Sequence, residues 1–217
     1  MDAVSLIKRM KGKPAMDDLV AEVIDNPTMI ADLIAVINTD PGSVKFACTK
    51  LIRLVSEKKP GIIYGYFDEI AALLDSNNSF VKWDAITILS NLVCVDTENK
   101  FDAIFEKYFG LINDPRMITA ANVVGNAWKV VMSKPYLEKE VTKRLLAVPG
   151  IVYLNKGKPS LECKNVLCGH LIDCFARYYP VSGRKDEILA FVKGQLGNSR
   201  RQVVKKAEQF LRTFNKI

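Results

Sequence analysis

Histidine is almost missing from this chain: among its 217 residues only His170 carries an imidazole. That scarcity excludes a His-rich metal site and any catalytic histidine pair. No GxxxxGK[ST] or GxGxxG stretch occurs, so the two familiar phosphate-cradling loops are absent. No apolar run approaches the ~20 residues that a membrane-spanning helix needs. The N-terminus, "MDAVSLIKRMKGKPAMDDLV", places Asp2 first and its basic cluster after the apolar residues, the reverse of an export signal. The five cysteines (Cys48, Cys94, Cys163, Cys168, Cys174) are odd in number, and the last three have spacings of five and six. Those spacings match neither a CxxC knuckle nor the i, i+4 arrangement that converges two ligands on one helix face. In a chain without an export signal they read as free, buried thiols. Cys168 and His170 lie two apart on a helix and point in different directions, so they form no nucleophile–base pair. The expectation is a cytoplasmic chain that is not an enzyme, with no metal, no cofactor and no membrane contact.

What is present is an ordinary globular composition, 49% hydrophobic and 25% charged, which is enough apolar material to build a core. The net charge of +7 is unevenly spread. Residues 1–132 hold 14 Lys/Arg against 17 Asp/Glu, and residues 133–217 hold 17 against 7. Such a basic C-terminal part is either a solvated lysine-rich helix face or the footprint of an anionic partner.

The chain repeats itself. "LIAVINTDPGSVKFACTKLIRLV" (Leu33–Val55) and "IAALLDSNNSFVKWDAITILSNL" (Ile70–Leu92) align at a constant offset of 37. Ile37 falls on Leu74, Val44 on Val81, Phe46 on Trp83, Cys48 on Ala85 and Leu51 on Ile88. The C-terminus repeats the figure at an offset of 122 from the second copy, with Val203 on Val81 and Ala207 on Ala85. "PRMITAANVVGNAWKV" joins at offset 35, and "CKNVLCGHLIDCF" after a further 44. Fixed-period self-similarity defines the architecture before any residue is given a role. Each copy contains an amphipathic first helix, as in the stripes Ile63, Phe67, Ile70, Leu74 and Phe101, Phe105, Tyr108, Ile112. A turn signal follows ("NTDPG", "DSNNS", "NDPR", "GNS"), and then a second helix with a small residue (Cys48, Ala85, Ala120, Ala207) where two backbones come close. The predicted pairs span about 27–57, 60–95, 97–132, 134–178 and 183–216, with a capping segment 1–26 that is helical near Asp17–Ile24. No stretch alternates with period two, so no sheet is expected. A second helix in such an array touches its own partner and the repeats on both sides, and little of its circumference stays wet.

These copies resemble HEAT repeats, the resemblance resting on the "V-x-x-x-A" start of the second helix. Val81-Lys82-Trp83-Asp84-Ala85 and Val203-Val204-Lys205-Lys206-Ala207 carry it best, Phe46-Ala47-Cys48 is looser, and the fourth pair is the poorest match. Over about residues 27–216 the chain is similar to the small standalone HEAT-repeat proteins of bacteria. The resemblance implies an all-α superhelix (solenoid) of about five antiparallel helix pairs, forming a single domain over 1–217. It also implies a concave face lined by the second helices. Fold similarity of this kind does not settle activity.

Trp83-Asp84 and Trp128 also bear comparison with the HEAT-like DNA-alkylation-repair glycosylases, which hold a damaged nucleotide with tryptophans and an acid. Adjacent helix positions point about 100° apart, however, so Trp83 and Asp84 do not share a face. Trp128 does not align to that family's pattern, and Trp83 reads as a packing residue equivalent to Phe46. The basic face Arg201, Lys205, Arg212 lies opposite Val203, Ala207 and Phe210, where a terminal repeat needs a polar cap and where phosphates would also fit. Columns recur across the second helices: Lys50, Thr87, Asn122, Gln209; Arg53, Ser90, Gly125, Arg212; and Asn91, Asn126, His170. The last column is either an inter-repeat ladder or part of a ligand-facing groove. The expected function is a scaffold or adaptor for a protein partner, bound on the concave face through Lys50, Arg53, Trp83, Thr87, Asn122, Lys129, Lys205 and Arg212. The alternative is a nucleic-acid-binding protein acting through the basic C-terminal repeats, distantly similar to the glycosylases.

Overall fold

Asparagine and aspartate side chains set where the helices begin. In the computed structural model of the chain, which describes residues 3–12, 15–39 and 42–214, the same device recurs three times. Asn78, Asp114 and Asn198 each accept a hydrogen bond from the backbone N–H two residues on, from Phe80 at 3.0 Å, Arg116 at 2.8 Å and Arg200 at 2.8 Å. An Asx turn of this kind stops one helix and pre-organises the first turn of the next. The corresponding signal "NTDPG" contains Asp40 and Pro41, which lie outside the described residues.

The chain divides into two compact units, Met1–Ile104 and Phe105–Ile217. In the first, the described elements begin with α1 (Ala3–Lys11), α2 (Met16–Asp25), α3 (Met29–Thr39) and α4 (Val44–Lys58). The first helix of the next pair is broken into α5 (Pro60–Ile63) and α6 (Phe67–Ala72), with a tightened 3-10 turn at Tyr64–Tyr66 between them. Its predicted stripe nevertheless faces inward: Ile63, Phe67, Ile70 and Leu74 are all buried. α7 (Ser79–Leu92) follows and packs on α4 and α6. Val81, Ala85, Ile86, Ile88, Leu89, Ser90, Asn91 and Leu92 are buried around more than half of its circumference, as a helix contacted from several sides must be. The N-terminal segment holds one helix more than the sequence indicates. α1 is fastened to α2 by Arg9, whose Nη1 reaches Glu22 at 2.7 Å.

α8 (Lys100–Gly110) spans the boundary between the units. At its start, the buried Asp96 accepts from the backbone N–H of Lys100 at 2.8 Å and of Phe101 at 2.9 Å, and from the Tyr64 hydroxyl at 2.6 Å. The second unit continues with α9 (Met117–Ser133), α10 (Glu138–Ala147), α11 (Leu161–Tyr178), α12 (Lys185–Gly194) and α13 (Arg201–Phe214). α11 lies between α9 and α13 and packs on both. The small residues Cys48, Ala85, Ala120 and Ala207 are fully buried, each on a second helix.

One expectation fails in the second unit. The insert between α10 and α11 contains a short antiparallel hairpin, β1 (Leu154–Asn155) with β2 (Lys158–Pro159), where no sheet was expected. Its turn residues Lys156 and Gly157 have φ of +50° and +79°, the left-handed pair that a two-residue hairpin turn requires. Two-residue strands are too short to show a period-two pattern. The hairpin is held down by the buried Tyr153, whose hydroxyl donates to the Ile112 carbonyl at 2.9 Å, and by Leu154 N–H donating to the Pro115 carbonyl at 2.9 Å.

Candidate binding surface

In the first unit the exposed arc of α7 begins with aromatic residues. Phe80 packs edge-on against Trp83 at 5.2 Å between ring centroids and against Phe46 of α4 at 5.8 Å. Phe80 leaves 62% of its surface exposed, while Phe46 and Trp83 are half-buried. A contiguous aromatic cluster with an exposed member, rather than a single exposed ring, is the kind of patch that marks a docking surface. The sequence contained a signal for Phe80 that the column reading passed over: its counterpart at an offset of 37 is Ser43, a change from polar to aromatic.

Arg53, chosen from sequence as a donor for the partner, is already engaged. Its Nε reaches Asp84 Oδ1 at 2.9 Å and its Nη1 reaches Glu57 Oε1 at 2.7 Å, tying α4 to α7. Burial pushes the Asp84 carboxyl up from its ordinary range, and the Thr49 hydroxyl and the Arg53 guanidinium oppose that push. Asp84 is therefore the acid that positions Arg53, on a different face from Trp83. Lys50 is exposed beside this pair. Thr87 is half-buried, and its hydroxyl turns back to the Trp83 carbonyl at 3.3 Å.

In the second unit Asn122 and Lys129 share one face of α9. Asn122 Nδ2 donates to the Ile118 carbonyl at 2.8 Å, Asn126 Nδ2 to the Asn122 carbonyl at 2.9 Å, and Lys129 Nζ to Asn126 Oδ1 at 2.7 Å. Trp128 is flanked by two cations, with Lys129 Nζ 6.0 Å and the Arg177 guanidinium carbon 5.5 Å from its ring centroid. On α13, Arg201, Lys205 and Arg212 are exposed while Val203, Ala207 and Phe210 are buried, the two-sided arrangement read from the sequence. The neighbouring Lys206 pairs with Asp173 of α11.

The third column divides. Asn91 is buried and donates to Ser56 Oγ at 2.9 Å, a tie between α7 and α4. Asn126 bonds within its own helix. His170 is half-buried, and burial, with Lys206 nearby, lowers its pKa. Gly125 is exposed with open space around it, whereas Gly169 is buried with a Val203 methyl 3.5 Å from where a Cβ would stand.

The thiols need a correction. Cys48, Cys168 and Cys174 are buried, but Cys94 is exposed and Cys163 is only half-buried. Cys94 sits in the tight turn that ends α7, where the chain faces outward, and its Sγ donates to the Asn91 carbonyl at 3.2 Å. Burial pushes the Cys174 thiol up to about 12. Among the described residues no three His, Cys, Asp or Glu side chains gather as metal ligands, and no helix is long and apolar enough to cross a membrane.

No family model matches the sequence, and no curated protein matches it. Solved structures do match. A designed armadillo repeat protein superposes with a TM-score of 0.62 at 12% identity, covering 90% of this chain and 85% of that one. Another designed armadillo repeat protein, in complex with the peptide (KR)4, gives 0.59 at 14% identity, covering 91% and 86%. At these identities the likeness carries the fold alone. The fold is an all-α solenoid of the armadillo/HEAT kind.

Proposed function

We propose that the chain, acting as a single cytoplasmic domain, is a non-enzymatic scaffold or adaptor that holds a segment of a protein partner on its second helices. One observation carries this reading above the rest: the second helices present large side chains outward, among them Leu161 at 63% exposure and Phe80 at 62% beside Trp83. A designed armadillo repeat protein of similar fold is solved with a peptide, which supports a peptide-like segment as the partner. The contact set is Lys50, Trp83, Thr87, Asn122, Lys129, Lys205 and Arg212, with Phe80 added. Arg53 contributes by holding α4 against α7.

The test is to capture a partner from the source cell, identify it by mass spectrometry, and map amide hydrogen exchange on the purified complex. Protection should fall on α4, α7 and α9, and Trp83→Ala, Phe80→Ala and Lys129→Ala should each weaken capture by more than ~1 kcal/mol. Protection confined to α6, α8 and α12 would reject the reading. The basic face of α13 favours one alternative, nucleic-acid binding. Phosphate-driven retention weakens steeply as salt rises, so failure to retain single- or double-stranded DNA at low salt removes it.

A further inference from the structure

The arginines of the second unit fall into two groups. Those on first helices and in turns are ion-paired: Arg116 with Asp114, Arg144 with Glu106 and Glu140, Arg184 with Glu187, and Arg200 with Glu162. Those on second helices, Arg177 of α11 and Arg201 and Arg212 of α13, have no carboxylate partner among the described residues. Among these arginines, charge is thus paired on first helices and in turns and left without a carboxylate on second helices, although Lys206 of α13 pairs with Asp173. An uncompensated cation on a surface where a partner docks favours an anionic partner, through steering and through charge-assisted hydrogen bonds.

Arg177 is the most constrained of the three, because its guanidinium carbon lies over the Trp128 ring, 5.5 Å from its centroid, with Lys129 on the same ring. A guanidinium packed on an indole keeps its outward N–H groups available in a fixed plane, the geometry that suits a carboxylate. One helical turn beyond Trp128 lies Met132, 50% exposed, and beyond the end of α11 lies Val181, 64% exposed. These two, with Val131, Pro135 and Glu138, line a depression of about 200 Å³. That is below the ~300–1,000 Å³ of a small-molecule pocket and suits one or two apolar side chains of a peptide. Glu138 at its rim is already the acceptor for Thr142 and Ser182, and its charge disfavours a second carboxylate at that end.

We infer that the second unit binds an acidic peptide segment of the partner protein, with a carboxylate held by Lys129 and Arg177 over Trp128 and an adjacent apolar side chain seated against Met132, Pro135 and Val181. This rests on the scaffold reading above and adds the chemistry of the segment. The pairing of an apolar seat with the cations favours a peptide over a phosphate backbone, which needs donors but no such seat. Arg201, Lys205 and Arg212 extend the positive surface on α13.

The full-length protein, immobilised, is used to select from a display library of random dodecapeptides, and the winners are measured by fluorescence anisotropy. Winners should carry aspartate or glutamate next to an aliphatic or aromatic residue. Their affinity should fall about tenfold with Arg177→Ala or with Met132→Glu, fall further with Arg177→Glu, and be only partly retained by Arg177→Lys, which keeps charge but loses the planar fork of donors. Arg177 and Met132 are both exposed, and unchanged circular dichroism melting confirms that each variant folds. Winners that are basic or neutral, or acidic winners indifferent to Arg177→Glu, overturn the inference while leaving the scaffold reading intact. Tighter binding of single-stranded oligodeoxythymidine than of any acidic peptide also overturns it, in favour of a phosphate ligand. If no peptide is enriched at all, the scaffold reading falls with it.

Discussion

Removing Arg53 should weaken the fold in a pH-dependent way. Its guanidinium bridges Asp84 on α7 at 2.9 Å and Glu57 on its own helix at 2.7 Å, with Arg53 and Asp84 side chains 26% and 22% exposed. Exposed pairs contribute roughly 0.2–1 kcal/mol, and breaking a fully buried one costs ~3–5 kcal/mol because the abandoned charge is stranded. A pair about three-quarters covered belongs between, so Arg53→Ala should cost about 1–2 kcal/mol at pH 7. For a chain of this size that corresponds to a fall in melting temperature of roughly 3–6 °C. The pH dependence follows from Asp84. Its folded pKa is raised by burial, with Arg53 opposing the rise. Without Arg53 it rises further, so the stranded charge destabilises the variant wherever Asp84 is ionised. As pH falls through the folded pKa the carboxyl takes up a proton, and the difference between wild type and variant should shrink. Urea unfolding of wild type, Arg53→Ala, Asp84→Asn and the double variant at pH 7 and at about pH 3.5 reads this out as a coupling energy. A loss of equal size at both pH values, or no coupling between the two positions, would refute the reasoning and return Arg53 to the list of free donors.

Three further outcomes are expected. In the native protein a thiol reagent should label Cys94 fast and Cys163 more slowly, with Cys48, Cys168 and Cys174 reacting only on denaturation; fast native labelling of Cys168 would contradict its burial. Gly125→Ala should stabilise the free chain by about 0.5–1 kcal/mol, because the position is mid-helix, exposed and has no neighbour within 4 Å of a new methyl group. A melting temperature that falls instead would show a close approach that the structure lacks. His170 should titrate below its ordinary 6.5, since burial and then Lys206 disfavour the imidazolium. A depressed histidine contributes stability that is present above the unfolded pKa and lost as pH falls through the folded one; an imidazole NMR midpoint at or above 6.5 would remove that contribution.

The repeat reading worked where chemistry is local. Ile63, Phe67, Ile70 and Leu74 are buried as their spacing implies, because a helix of 3.6 residues per turn puts them on one side whatever lies opposite. Asn78, Asp114 and Asn198 stop their helices through bonds only two residues long. The features that escaped notice depend on distance or on rotation. Arg53 finds Asp84 31 residues away, and that meeting depends on how α4 and α7 are turned towards each other. The hairpin at Leu154–Pro159 uses Lys156-Gly157 in its turn rather than the asparagine–glycine pair that announces such turns. Of the candidate site, the sequence identified second-helix positions that lie outward, such as Lys50, Lys205 and Arg212. It did not distinguish a cation already paired, such as Arg53, from one without a carboxylate, such as Arg177.

The polar ties inside each unit separate structure from binding. Tyr64 meets Asp96 across 32 residues and Asn91 meets Ser56 across 35 in the first unit. In the second, Thr142 meets Tyr178 across 36, and Asn165 meets Ser199 across 34 and Asn198 across 33. The ties of Tyr64, Asn91 and Asn165 join successive copies, whereas Thr142 and Tyr178 tie the two helices of the fourth copy to each other. Such groups are buried or partly buried, and a slip of one helix against the next would leave them without partners at ~1–3 kcal/mol each. They fix register in a stack whose apolar surfaces alone would tolerate sliding. Asn91 is therefore a structural rung. Asn122 differs because its bond returns to a carbonyl of its own helix, and such a bond is exchanged for a partner's without loosening the stack. The polar side chains suited to recognition are those whose present bonds hold no second helix in place.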